Sequence, residues 1–133
     1  FYFACTSGGA AGSGQIMRYV PSPAEGRPGE RDAPGRLQLF VESADRKVMD
    51  YADNVTVAPW GHLIACEDKS GDNSINHLKG ITPAGRVYTL ARLNLDTELA
   101  GACFAPDGRT MFVNIYRPGR TLAVTGPWRR VRA

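Results

Sequence analysis

The hydrophobic positions of this 133-residue chain fall in short runs that proline and glycine separate from one another. Within several runs apolar and polar residues alternate, as in residues 85–90, and this alternation is typical of a half-buried strand. No run keeps a helical periodicity for longer than about two turns. The pattern therefore predicts an all-β fold made of many short strands.

One stretch of sequence occurs twice. The segment VAPWG, which begins at Val57, aligns with FAPDG, which begins at Phe104 and so lies 47 positions later. In both segments proline fixes φ and glycine permits a tight reversal, which predicts a hairpin between two strands. A period of this length is typical of β-propeller blades, which repeat every 40 to 50 residues or so.

The repeat predicts a β-propeller fragment of two to three blades. Residues 1–45 would form a blade with a long inserted loop at 21–35, residues 51–93 a full blade, residues 97–127 an incomplete blade, and residues 128–133 a basic tail. Closed rings have roughly four to eight blades. We therefore expect the remaining blades to come from a longer chain or from self-association through the exposed blade faces.

The charge pattern argues against two classes of partner. The net charge is +3, and the basic excess gathers in the tail at Arg129, Arg130 and Arg132. A nucleic-acid-binding protein would carry a basic stripe with interleaved aromatic residues, and this chain has none, so we expect no nucleic acid. It has no apolar run near 18 residues and no signal-peptide pattern, so we expect no membrane span within it.

Three cysteines, Cys5, Cys66 and Cys103, lie in separate apolar stretches. No two of them form the Cys-x-x-Cys pair that is typical of zinc ribbons. We therefore predict buried thiols, which pack as small hydrophobic side chains rather than as metal ligands.

Oxygen-donor side chains gather where the predicted inner strands begin and where the second strands end. In a four-stranded blade both points lie at the same mouth of the ring, so these side chains should converge. The donors are Asp53, Asn54, Glu67, Asp68, Glu98 and Asn114. Ca²⁺ takes six to eight oxygen ligands from carboxylates and amides, so the set suits a hard cation.

Several of these assignments have open alternatives. Asp53 and Asn54 could instead hold a turn through their own backbone, and Glu98 could equally be structural. Glu67 and Asn114 are 47 residues apart, so we expect them to occupy equivalent places in two blades. Arg117 is a candidate catalytic residue that could meet an anionic substrate at the mouth, although a surface charge would fit the same position.

The order of the motifs resembles one protein family over nearly the whole chain. The motifs are FACTSGG from Phe3, DN at Asp53, CED at Cys66, GITP at Gly80, ELAGACF at Glu98, PDG at Pro106, FVNI at Phe112, PGRT at Pro118 and TGPW at Thr125. Together they are similar to the C-terminal part of the PhoX-type alkaline phosphatases.

The resemblance implies a six-bladed parent propeller that is periplasmic or secreted. It implies hydrolysis of phosphate-ester substrates, with calcium and iron in the channel. By position, the metal-binding acids would be Glu67 and Glu98, followed by Asp53, Asn54 and Asn114. The family's cysteine-containing metal motif lies outside this sequence, so we expect the chain to be inactive alone.

Two other functions stay open at this point. One is a calcium-dependent lactonase, because such propellers also present Asp-Asn pairs and glutamate to a channel ion. The other is a non-catalytic structural or binding propeller without metals. Metal content separates the last from the two enzymes.

Overall fold

The computed structural model of the chain describes residues 1–69, 71 and 74–128, and these contain ten β-strands and no α-helix. The strands are β1 (Tyr2–Cys5), β2 (Gln15–Val20), β3 (Arg36–Glu42), β4 (Ala52–Val57), β5 (Leu63–Glu67), β6 (His77–Ile81), β7 (Val87–Arg92), β8 (Leu99–Phe104), β9 (Thr110–Ile115) and β10 (Arg120–Thr125). They form three antiparallel sheets in the orders β1-β2-β3, β4-β5-β6-β7 and β10-β9-β8. The all-β prediction is confirmed.

The three sheets stack face to face around two apolar cores. Every residue of β5 is buried, because the strand contributes to both cores. Leu63 and Ala65 pack toward the first sheet, whereas Ile64 and Cys66 pack toward the third. Side chains of a strand alternate between its two faces, so one central strand can serve two interfaces.

This stack of sheets is propeller-like, but the described residues do not close into a ring. The assignment of residues 1–45, 51–93 and 97–127 to separate blades of a ring stays a prediction. The described residues contain no helix that is long and apolar enough to cross a membrane.

Hydrogen-bond register relates the first sheet to the second. The β2–β3 pair shifts register between Ile16 and Met17, and the β6–β7 pair shifts at the matching place, between Leu78 and Lys79. β1, β2 and β3 therefore correspond to β5, β6 and β7. Among the described residues the first sheet has no counterpart of the inner strand β4.

The third sheet repeats the inner part of the second. The backbone N–H of Asp68 donates to the carbonyl of Tyr51 at 2.9 Å, and the N–H of Tyr116 donates to that of Glu98 at 3.2 Å. These two bonds close the ends of the β4–β5 and β8–β9 pairs in the same way. β8, β9 and β10 therefore correspond to β4, β5 and β6.

This correspondence corrects the expected equivalence of Glu67 and Asn114. Glu67 pairs with Ala52, the first residue of β4. In the third sheet Ile115 pairs with Leu99, the first residue of β8. Glu67 is thus equivalent to Ile115, and the expectation from the 47-residue offset is wrong.

The physical reason is a longer turn in the third sheet. In the β4–β5 hairpin the N–H of Ala58 donates to the carbonyl of His62, and in the β8–β9 hairpin the N–H of Ala105 donates to the carbonyl of Thr110. The β8–β9 turn contains one residue more than the β4–β5 turn, which shifts β9 by one position relative to β5. A one-residue shift exchanges the two faces of a strand.

The cysteine prediction holds for one residue of the three. Cys66 is buried, Cys5 is partly buried and Cys103 is exposed. Cys103 alternates with Ala102 and Phe104, which pack against the core, so its thiol lies on the opposite face of β8. The expectation of a buried thiol at Cys103 is therefore wrong.

The predicted basic tail falls largely outside the described residues, which end at Trp128. Arg129, Arg130 and Arg132 are among the residues beyond that point. Trp128 itself stacks on Trp60, with ring centroids 5.5 Å apart, and its Nε1 donates to the carbonyl of Arg109.

Candidate metal centre

Three carboxylates converge where the second and third sheets meet. Asp53, Asp68 and Glu98 each offer an oxygen, and these oxygens all lie within 4.8 Å of one another. Asp53 is exposed, and the other two are half-buried. We call this group the carboxylate cluster. All three residues are among the oxygen donors that the sequence places at one mouth.

The strands position each of these side chains differently. Asp53 is the bulged residue of β4, since the register shifts between Ala52 and Asn54. A β-bulge re-aims a side chain and is often found beside active sites. Asp68 follows the last residue of β5, and Glu98 precedes the first residue of β8. Three separate segments thus bring acids to one point.

The cluster is strongly negative. Burial raises the pKa of Glu98, and a hydrogen bond to Asp68 and repulsion by Asp68 and Asp53 raise it further. Among the described residues no lysine, arginine or histidine forms a salt bridge with any of the three acids. The nearest polar partner is Asn54, whose Nδ2 donates to Oδ1 of Asp53. Acids held together without a countercharge attract a cation.

The Cys66 thiol lies near the same acids. Burial raises its pKa to about 11, and the charges of Asp53 and Glu98 contribute in the same direction. A thiol with this pKa stays protonated near neutral pH, whereas metals bind the thiolate. Cys66 is therefore an apolar wall of the site rather than a ligand.

The repeat shows that the fold does not require these acids. In the hydrogen bonds that close the strand pairs, Tyr116 takes the place of Asp68, and Tyr51 takes the place of Glu98. Asp53 has no counterpart, because the bulge in β8 lies further along the strand, between Ala100 and Cys103. The acids therefore occur together at only one of the two described positions of the repeat.

Glu67 lies outside the carboxylate cluster, in a buried ion-pair network. Its side chain has no exposed surface. Oε1 accepts a hydrogen bond from the N–H of Asp50 at 3.0 Å and lies 3.7 Å from Nζ of Lys79. Oε2 accepts from the N–H and from Nδ1 of His77, at 3.1 and 2.8 Å. Both oxygens already have donors.

The remaining predicted residues lie on the third sheet. Asn114 is exposed on β9, and its Oδ1 accepts a hydrogen bond from Oγ1 of Thr121 at 2.7 Å. Arg117 is exposed as well, with its guanidinium 5.4 Å from the ring centroid of Tyr116. The backbone N–H of Arg117 donates to Oγ1 of Thr97, the neighbour of Glu98. Neither side chain belongs to the carboxylate cluster.

Sequence reasoning missed one buried polar residue beside the cluster. The side chain of Asn76 has no exposed surface and bonds to the backbone of Lys69 and Thr97. No motif or spacing singled out this asparagine. Its only signal is a position just before the strand that begins at His77.

Stacked antiparallel sheets with one carboxylate cluster define a propeller-like β protein with a candidate cation site. A family profile described as Alkaline phosphatase PhoX matches residues 1–119, most of the chain. The chain therefore belongs to the PhoX alkaline phosphatase family, as the motifs predicted. No curated protein and no solved structure matches it.

Proposed function

We propose that this chain forms part of a metal-dependent phosphomonoesterase, in which the carboxylate cluster binds a calcium ion. The observation that carries the proposal is the convergence of Asp53, Asp68 and Glu98 without a countercharge among the described residues. Membership of an alkaline phosphatase family supports the choice of phosphate esters as substrates.

The chemistry of the donor set favours calcium over iron at this cluster. All three donors are carboxylates, and Ca²⁺ takes six to eight oxygens in a flexible arrangement. Transition metals such as iron bind imidazole and thiolate well, and neither group is present among the three. Asp53, Asp68 and Glu98 would therefore hold calcium, and we assign no described residue to iron.

A bound cation would polarise a phosphoryl oxygen and lower the pKa of bound water. The acidic residues of this chain explain why a cation would be required for substrate binding. The negative charge of the cluster repels a phosphate dianion, so the bare cluster disfavours the substrate. Arg117, whose backbone is tied to Thr97 beside Glu98, is the basic side chain that we propose for contact with the anionic substrate.

We further propose that the protein works outside the cytoplasm, in the periplasm or as a secreted protein. Family membership supports this location. Calcium-binding modules of extracellular proteins typically have dissociation constants of about 10⁻⁴ to 10⁻³ M, an affinity that a small, partly exposed cluster of three carboxylates could supply.

The test measures calcium content and hydrolysis of p-nitrophenyl phosphate in the same preparations. Asp68→Asn and Glu98→Gln should each lose bound calcium and most of the phosphatase activity. Glu42→Gln changes an exposed carboxylate on β3 and is the matched control, so it should keep both. Calcium binding and full activity in the two cluster variants would rule out the assignment. Hydrolysis of lactones without hydrolysis of phosphate esters would favour the lactonase instead.

A further inference from the structure

Asn76 uses its whole side chain on the backbone of two other segments. Its Oδ1 accepts from the N–H of Lys69 at 2.7 Å. Its Nδ2 donates to the carbonyl of Lys69 at 3.2 Å and to that of Thr97 at 3.0 Å. The side chain is fully buried, so water does not compete for these bonds.

Both segments lead directly to the carboxylate cluster. Lys69 follows Asp68, and Thr97 precedes Glu98. One amide group therefore fixes the backbone beside two of the three acids. We propose that Asn76 is a positioning residue, which sets the separation of Asp68 and Glu98 for cation binding. This inference rests on the proposed function.

The cluster needs such a framework, because its members repel one another. Ionised carboxylates within 4.8 Å tend to move apart until a cation screens them. A side chain that ties both backbones keeps the ligands in place before the ion arrives. Groups that orient metal ligands in this way typically contribute roughly 10- to 100-fold to metal affinity.

The repeat separates this role from a general requirement of the fold. In the second sheet, the carbonyl of Asn76 accepts a hydrogen bond from the N–H of Leu93. The same backbone bond occurs in the first sheet between Gly14 and Ser43. There the residue has no side chain, and the position equivalent to Asp68 is Thr6 rather than an acid. The amide is thus found where the acids are.

The experiment compares Asn76→Ala with Ser43→Ala in the purified protein. Ser43 is a suitable control, because its buried hydroxyl also bonds to backbone carbonyls, those of Asp45 and Met49, but in the connection from the first sheet. Both variants should lose some thermal stability. Calcium affinity by calorimetry should fall about tenfold or more in Asn76→Ala and stay unchanged in Ser43→Ala.

Terbium luminescence supplies a second readout that a loss of stability would not change. Its lifetime reports the number of water molecules on the bound ion. We expect about one more water in Asn76→Ala than in the wild type, because a displaced carboxylate is replaced by solvent. Should Asn76→Ala fail to fold, Asn76→Ser, which keeps a short polar side chain, is compared with Ser43→Ala in the same way.

The outcomes distinguish the two proposals. A wild-type protein that binds neither calcium nor terbium overturns the proposed function, and the role of Asn76 with it. Binding in the wild type that Asn76→Ala or Asn76→Ser leaves unchanged overturns the positioning role alone. An equal loss of affinity in Ser43→Ala also overturns it, since the effect would then follow stability.

Discussion

The buried network around Glu67 and the carboxylate cluster begin at adjacent residues of one chain. The side chain of Glu67 is fully buried and has hydrogen-bond donors on both oxygens. Asp68, the next residue, is half-buried beside two other acids, and among the described residues no cation pairs with it. The carboxylate of Glu67 thus has partners that compensate its charge, whereas the carboxylate of Asp68 lies beside other negative charges.

The alternation of side chains along a strand explains this difference. Glu67 lies on the face of β5 that Ala65 shares with the first core, and Asp68 lies on the other side, toward the third sheet. A buried carboxylate without partners is costly, so Glu67 requires its donors. Asp68 is half-exposed and does not need such a set of donors, and the group hydrogen-bonded to it is another acid, Glu98. An acid that already has its donors is a structural group, and an acid without them is available to a ligand.

The largest expected effect comes from breaking the buried network. Glu67→Gln keeps the volume but removes the charge that faces Lys79, which is itself 4% exposed. A buried charge that loses its partner destabilises a protein by about 3–5 kcal/mol. We expect a loss of this size in the free energy of unfolding, measured by urea denaturation. A loss below about 1 kcal/mol would contradict the ion-pair interpretation.

Two further variants sharpen this prediction. Glu67→Gln combined with Lys79→Met removes both charges, so the double variant should recover much of the stability that the single variant loses. Asp32→Asn alters an exposed carboxylate in the loop between β2 and β3 and should unfold near the wild-type midpoint. Additive losses in the double variant would show that the two charges do not interact.

A smaller effect is expected from adding calcium. Binding to the folded state alone stabilises a protein by about 2.7 kcal/mol when the free ion is about 100 times Kd. Calcium should therefore raise the melting temperature of the wild type, and a chelator should reverse the change. Asp68→Asn should lose the response, because the cluster keeps only Asp53 and Glu98. An equal shift in Asp68→Asn would place the bound calcium elsewhere.

The repeat and the alternation of apolar positions were sufficient to predict an all-β, propeller-like fold. The segments from Val57 and Phe104 became the matching hairpins of the second and third sheets. The one-residue difference between the two turns could not be read from the motif. Both segments contain the same Pro-x-Gly, and the added residue follows it. An error of one residue was enough to align Glu67 with Asn114 instead of with Ile115.

The carboxylate cluster could be predicted only in part. Position at the strand ends identified Asp53, Asp68 and Glu98 as neighbours, but it did not separate them from Glu67. That separation depends on the partners of each oxygen, which come from distant residues such as His77 and Lys79. Asn76 left no signal, because its role consists of contacts with backbone atoms, and these exist only after folding.

The smallest expected effect concerns the cost of keeping the acids together without a cation. The pKa of Glu98 is raised in the folded protein, so between about pH 4.3, where an unperturbed glutamate titrates, and that raised pKa the folded state holds more protons than the unfolded state. Stability then falls as the pH rises through this window. Asp68→Asn removes one charge that repels ionised Glu98, so stability should fall less across this pH window. At pH values above the window, the free energy of unfolding should be higher than that of the wild type by less than about 1 kcal/mol. Urea denaturation at several pH values in the presence of a chelator measures both slopes. Identical slopes in the two proteins would mean that Asp68 does not destabilise the ionised form of Glu98, and the contrast with the well-partnered Glu67 would then rest on geometry alone.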